Sequence, residues 1–367
     1  SPTVTFSTKP GMDNSTYGYG DVGTIYFPDN RFLTQPFQHS GQWWVPGFTN
    51  WAPNNLMVSN GWLRIPSNGF CLTITNRLDI IGTDINMHKL ELSNAVAIVG
   101  SNVVLDKAVL LFRAGETSGP TLSCGGNVTL TNGAALTIYS GPTNTGAAND
   151  WSAMVDIAAD LRVETNAVLY LYAHPTNGGA PLMRMVNLRV SLGGTISADG
   201  GGFKGREQTW GYGQGGGFNY QGGGGYGGQG GARAGSVGGA TYGNSNAPVT
   251  PGSAGGSYNP SPGHPGCPGG GTIRIQAANL LTLNGVLTAN GRTYSSIGNT
   301  YGAGSGGGIY ITCRTFEGSA GIVRAQGGSG GYANGGGGRV AVWRMIDSSS
   351  GISASAAGGT TALGDSP

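Results

Sequence analysis

Between Leu63 and Val190 apolar and polar residues alternate in short runs separated by Gly, Asn, Asp and Ser. Phe70–Thr75, Arg77–Ile81, Lys89–Leu92, Ala95–Val99, Val103–Leu105, Val109–Phe112, Asn127–Leu130, Ala135–Tyr139, Leu161–Glu164 and Val168–Tyr172 read as strands by this period of two. Thr3–Phe6 alternates in the same way. A sustained 3.6-residue stripe, the mark of a helix, is missing. Two of the units superimpose, one starting at Asn127 and the other at Asp160, an offset of 33 residues.

From Gly193 onward the pattern becomes two phrases that alternate. The first is Gly-Gly-Thr-Ile-Ser-Ala-Asp-Gly-Gly at 193–201, returning as Gly-Val-Leu-Thr-Ala-Asn-Gly at 285–291 and Gly-Ile-Val-Arg-Ala-Gln-Gly-Gly at 321–328. The second is Gly-Gly-Gly-Thr-Ile-Arg-Ile at 269–275, returning as Gly-Gly-Gly-Ile-Tyr-Ile at 306–311 and Gly-Gly-Arg-Val-Ala-Val at 337–342. Short strands at a near-constant spacing, without helices, predict an all-β fold: a single-stranded parallel β-helix, or β-solenoid, with long glycine-rich loops. Each turn stacks ~4.8 Å above the last, and inward Val, Ile and Leu pile into ladders. A β-sandwich or antiparallel barrel is the competing reading, in which Asn132-Gly133 makes a hairpin turn.

Three regions follow. Residues 1–62 hold an N-terminal strand, a strand resembling the second phrase, and an aromatic-rich insertion; 63–199 hold regular turns; 200–367 hold glycine-rich turns that end mid-repeat. In the insertion, Trp43, Trp44 and Trp51 read either as packing against the side of the coil or as rings that stack on a sugar. Residues 200–271 interleave glycine with Tyr212, Phe218, Tyr220, Tyr226, Tyr242 and Tyr258. They predict ordered, tightly stacked loops held by backbone hydrogen bonds, because a ring can lie against a backbone that has no side chain in the way.

Composition narrows the classes. Glycine is 72 of 367 residues, far above the average of about 7%, yet it has no collagen period. Charged residues are only 10% and the net charge is +2, with 19 Lys and Arg scattered rather than striped. Nucleic acid is therefore not an expected partner, and weak mutual repulsion favours self-association. No apolar run reaches the ~18 residues of a membrane span. Cys71, Cys124, Cys267 and Cys313 allow two disulfides in three connectivities, or four buried thiols. No Cys-x-x-Cys pair suggests zinc, and no cofactor or metal is called for.

The stretches Leu182–Gly200, Tyr242–Pro248, Gly252–Gly256, Gly306–Phe316 and Gly335–Trp343 resemble a group of glycine-rich, β-helical secreted repeat proteins of planctomycete and verrucomicrobial bacteria. The resemblance covers roughly residues 63–360. It implies an exported or cell-surface protein, extracellular in location, with a parallel β-helix. It implies no established activity, so it carries over no catalytic residue.

Two functions compete. A polysaccharide-active β-helix enzyme, lyase or glycoside hydrolase, needs two carboxylates about 5–10 Å apart, or a base beside a cation. The candidates are Asp156 and Asp160 with Glu164, or Tyr172 or His174 with Arg184 or Arg189; Asp79 and Asp84 form a second acid pair. A glycan-binding module would use the tryptophans instead. Against these stands a structural reading. Gly18–Phe27 matches the second phrase with no first phrase before it, and Gly351–Gly359 matches the first with no second after it. Complementary ends predict a homo-oligomer, subunits joined head to tail into a filament or surface layer, with Val4, Phe6, Ile25, Tyr26 and Ile352 at the junction.

Overall fold

The computed structural model describes residues 6–8, 22–33, 35–37, 40–59, 61–82, 88–142, 151–207, 209–218, 222–233, 236–257, 265–293, 301–330 and 333–360. Among these the fold is all-β, with no helix, and every pairing between named strands is parallel. With no helix present, none is long and apolar enough to cross a membrane.

Eleven strands form one sheet and fourteen form a second, eleven of these along one path of hydrogen-bonded neighbours and three stacked off it. From Gln42 to Tyr139 each strand pairs with the strand three places along. Val128–Thr131, for example, lies between Val103–Asp106 and Asp160–Val163. The 33-residue offset read from the sequence is this register, since Val128 faces Leu161 and Tyr139 faces Tyr172. The offset of 36 between Gly285 and Gly321 likewise sets Val286 against Ile322.

Period-two alternation then decides what is buried. In the eleven-stranded sheet Trp43, Leu63, Leu90, Leu110, Leu136, Leu169, Ile196, Leu287 and Val323 form one inward row, none more than 2% exposed. Each such side chain contributes about 1.5–3 kcal/mol by leaving water. A one-residue slip would turn the entire row outward, so the row fixes the register. Asn94, Lys107, Asn132 and Asn166 sit at corners between successive strands with φ of 45°, 49°, 54° and 64°. Asn132-Gly133 is thus a left-handed corner joining two parallel sheets. It is not a hairpin turn, and the antiparallel reading falls with it.

At Pro181 the plan changes. The strand Pro181–Val190 pairs with Ala153–Ile157 through its first residues and with Asp160–Val163 through its last. It fuses two columns of short strands, bending at an irregularity between Met185 and Asn187. Thr272–Leu283, Gly308–Gly318 and Arg339–Ser349 stack on it in turn. The second phrase therefore opens long bent strands of eleven or twelve residues, which run well past the phrase itself.

The glycine segments between these strands are ordered against one another. Along 302–307, Gly302 and Ser305 donate their N–H groups to Gly256 and Ser253; Ala303 and Gly306 donate to Ala333 and Gly336; Gly304 and Gly307 donate to Arg292 and Ala289. Groups three residues apart thus reach the same neighbour, the period of an extended three-residue helix. Segment 222–225 is surrounded. It donates to Gly231, Ala303 and Gly215 and accepts from Gly256, Gly239 and Gly336. Its glycines are there for closeness rather than for φ: a Cβ on Gly224 would lie 2.2 Å from the Ser253 carbonyl oxygen, and one on Gly225 would lie 2.1 Å from that of Gly239. Tyr226 is fully buried among these segments. All four cysteines are free thiols, with Cys124, Cys267 and Cys313 buried.

Candidate functional site

The acids singled out from the sequence do not converge. Asp156 pairs with Arg184 at 3.4 Å, and both side chains are 47% exposed. Asp160 accepts from Arg162 at 2.8 Å and from Asn187 at 2.8 Å; the Arg162 hydrogen bond holds its carboxyl below the usual range. Glu164 accepts from the Ser191 hydroxyl. Each of these three carboxylates is held by its own partner. Asp79 is paired with Arg77 at 2.7 Å, while Asp84 lies outside the described residues.

The base-and-cation set is also separated. Tyr172 ends a strand of the eleven-stranded sheet and His174 follows it directly, whereas Arg184 and Arg189 lie on Pro181–Val190 in the other sheet. The His174 Nδ1 accepts the N–H of Asn177 at 3.1 Å, closing a local turn. Burial, and then the Lys204 charge, hold this imidazole below its ordinary pKa.

Trp43 is 0% exposed and packs edge-on against Phe6 and Phe37, so it cannot meet a sugar. Trp44 is half-buried, with the Arg64 guanidinium 4.4 Å from its ring centroid. Trp51 is half-buried beside Phe48. The indoles of the insertion therefore support the fold's side and first tiers.

What the topology does bring together is a groove of about 650 Å³ where the eleven-stranded sheet meets its corners. Asn68, Asn94, Arg113, Glu116, Tyr139 and His174 line it, from successive tiers. Tyr139 stacks on Tyr172 at 4.6 Å and 10°. The Arg113 guanidinium lies 5.6 Å from the Tyr139 centroid, held by Glu91, whose fully buried carboxylate accepts from it at 2.6 Å. Ser140, also in the lining, is 3% exposed and its Oγ has no hydrogen-bond partner among the described residues. A buried hydroxyl left unpaired costs about 1–3 kcal/mol.

The two ends differ. At one end Phe6, Phe27, Phe32 and Trp43 form a cluster with centroids 4.8–5.8 Å apart. Phe6 and Ile25 are therefore packed on their own chain, while Tyr26 is 62% exposed; Val4 lies outside the described residues. Moreover Thr24–Tyr26 pairs with Gln42–Trp44 in the eleven-stranded sheet, alongside the first-phrase strands. It does not take the second-phrase place that its sequence suggested. At the other end, among the described residues, Arg339–Ser349 pairs with Gly308–Gly318 alone, and Ser353–Ser355 with Ile322–Arg324 alone. Trp343, Met345 and Ile346 stand 56%, 85% and 47% exposed there, and Ile352 is partly buried against the core. Comparison with protein-family models, curated proteins and solved structures finds no match for this chain.

Proposed function

We propose that this chain is a single-stranded parallel β-helix with a structural role, extracellular or at a cell surface, that extends end to end with copies of itself. The observation that carries this reading is the eleven-residue strand Arg339–Ser349, whose outer edge is unpaired among the described residues while Trp343, Met345 and Ile346 are exposed on it. An unpaired strand edge with apolar side chains is a template for a further strand, and a contact between unlike ends propagates as an open stack. The contact does not use the split phrase, because the first strand already belongs to the other sheet. Sedimentation velocity tests it. Wild type should form concentration-dependent multimers, and Met345→Asp should shift them to monomer without changing the melting temperature. Monomer at every concentration would contradict the proposal.

The groove at Tyr139 favours a second reading, a glycan-binding module. Asn68, Asn94, Arg113 and Glu116 supply both donors and acceptors beside the stacked rings of Tyr139 and Tyr172. Binding of neutral oligosaccharides on an array should then fall at least tenfold in Tyr139→Ala, with Trp51→Ala unchanged. Equal loss in both variants, or no binding by wild type, would remove this reading.

A further inference from the structure

The same exposed end holds a second groove, of about 550 Å³, whose walls are almost wholly main chain. Segments 227–231, 334–338 and 356–359 line it, and most of the lining residues are glycine. We infer that this groove, open among the described residues, is the next position in the glycine lattice, filled by a glycine-rich three-residue helix from a second copy of this chain.

The hydrogen bonds that join one tier to the next carry the inference. Cys267 and Gly270 donate to Gly302 and Ser305. One residue further along that segment, Ala303 and Gly306 donate to Ala333 and Gly336. One residue further again stand Asn334 and Gly337, and their N–H groups donate to nothing among the described residues. The series has a next term, three residues apart like the earlier two, and the groove lies where its acceptors belong. The chemistry of the occupant follows from the same series. A Cβ on Gly304 would lie 1.9 Å from the Pro268 carbonyl oxygen, and one on Gly335 would lie 1.9 Å from that of Gly304. The residue that lands on Gly335 must likewise be glycine. On the open side the sterics relax: the nearest atom to a Cβ on Gly358 is the Gly335 oxygen at 3.6 Å, an ordinary contact. The second-copy occupant rests on the end-to-end reading, since the groove and the edge strand Arg339–Ser349 adjoin at Gly338.

The test adds a peptide with the sequence of residues 333–342 to the full chain and follows amide exchange at Asn334 and Gly337. Exchange should slow by about threefold or more. The same peptide with its four glycines replaced by alanine should leave it unchanged. In the chain, Gly358→Val should keep the wild-type melting temperature yet lose both the peptide effect and self-association. Equal protection by the alanine peptide would overturn the inference. So would chains that associate while both amides exchange freely and Gly358→Val changes nothing, although the end-to-end reading would then stand. Protection by the glycine peptide in a chain that stays monomeric at every concentration would overturn the second copy as occupant.

Discussion

At the residue scale the buried tyrosines make the glycine lattice sensitive to alkali. Burial pushes the Tyr226 hydroxyl up to about 12 and raises that of Tyr242 still further. A folded-state pKa above the unfolded value of 10 means that the neutral form is favoured by folding. The stabilisation is complete below pH 10 and disappears as pH rises through 12, about 3 kcal/mol for Tyr226 by linkage. Denaturation midpoints measured from pH 8 to 12 should therefore fall steeply above 10, and Tyr226→Phe should flatten the fall. A midpoint independent of pH in wild type would refute the burial argument. Cys267, which burial pushes up to about 11, should not react with thiol reagents until the lattice opens.

At the scale of single elements, the glycine segments and the short strands are stabilised by different means. Strands gain from apolar rows, so trimming one residue leaves a cavity. The segments gain from close main-chain approach, so adding one atom is the damaging change. Gly224→Ala places a methyl group 2.2 Å from a carbonyl oxygen that is fixed by its own tier. It should cost about 1–3 kcal/mol or more, whereas Gly133→Ala, with open space around its Cβ position, should cost only the strain of its φ of 83°. Urea melts of the two variants separate the causes, and equal losses would contradict the lattice account.

Legibility follows from the same contrast. The strand registers could be read because they repeat along the chain: Asn127 and Asp160 begin matching units, and those units pair residue for residue. The place of Thr24–Tyr26 could not be read. Gly-x-Ile-x opens strands in both phrases, and the neighbour Gln42–Trp44, not the local letters, decides the sheet. The strands Thr121–Cys124 and Ala153–Ile157 went unread, though each fills a regular place between its neighbours. The acids are neighbours in sequence, but in a stack of tiers closeness comes at offsets near 20–36 residues. The signal for the groove was present in the 33-residue offset that sets Tyr139 on Tyr172. The lattice was legible only as far as order and backbone bonding, since its threefold pattern depends on which segments come to lie beside each other.

At the scale of the whole molecule, one buried core runs from Phe37 to Ala325 and is covered at the first end by the aromatic cluster of Phe6, Phe27, Phe32 and Trp43. Among the described residues, the other end keeps an unpaired strand, exposed apolar side chains and a glycine groove with unused donors. On the proposed end-to-end reading, this polarity gives the stack a direction of growth. The most direct measurement is electron cryo-microscopy of the full chain at high concentration. Particles should be joined through Arg339–Ser349, with new density continuing both the sheet and the glycine segments. Single particles only, or contacts made through the sides of the sheets with Arg339–Ser349 left bare, would contradict it.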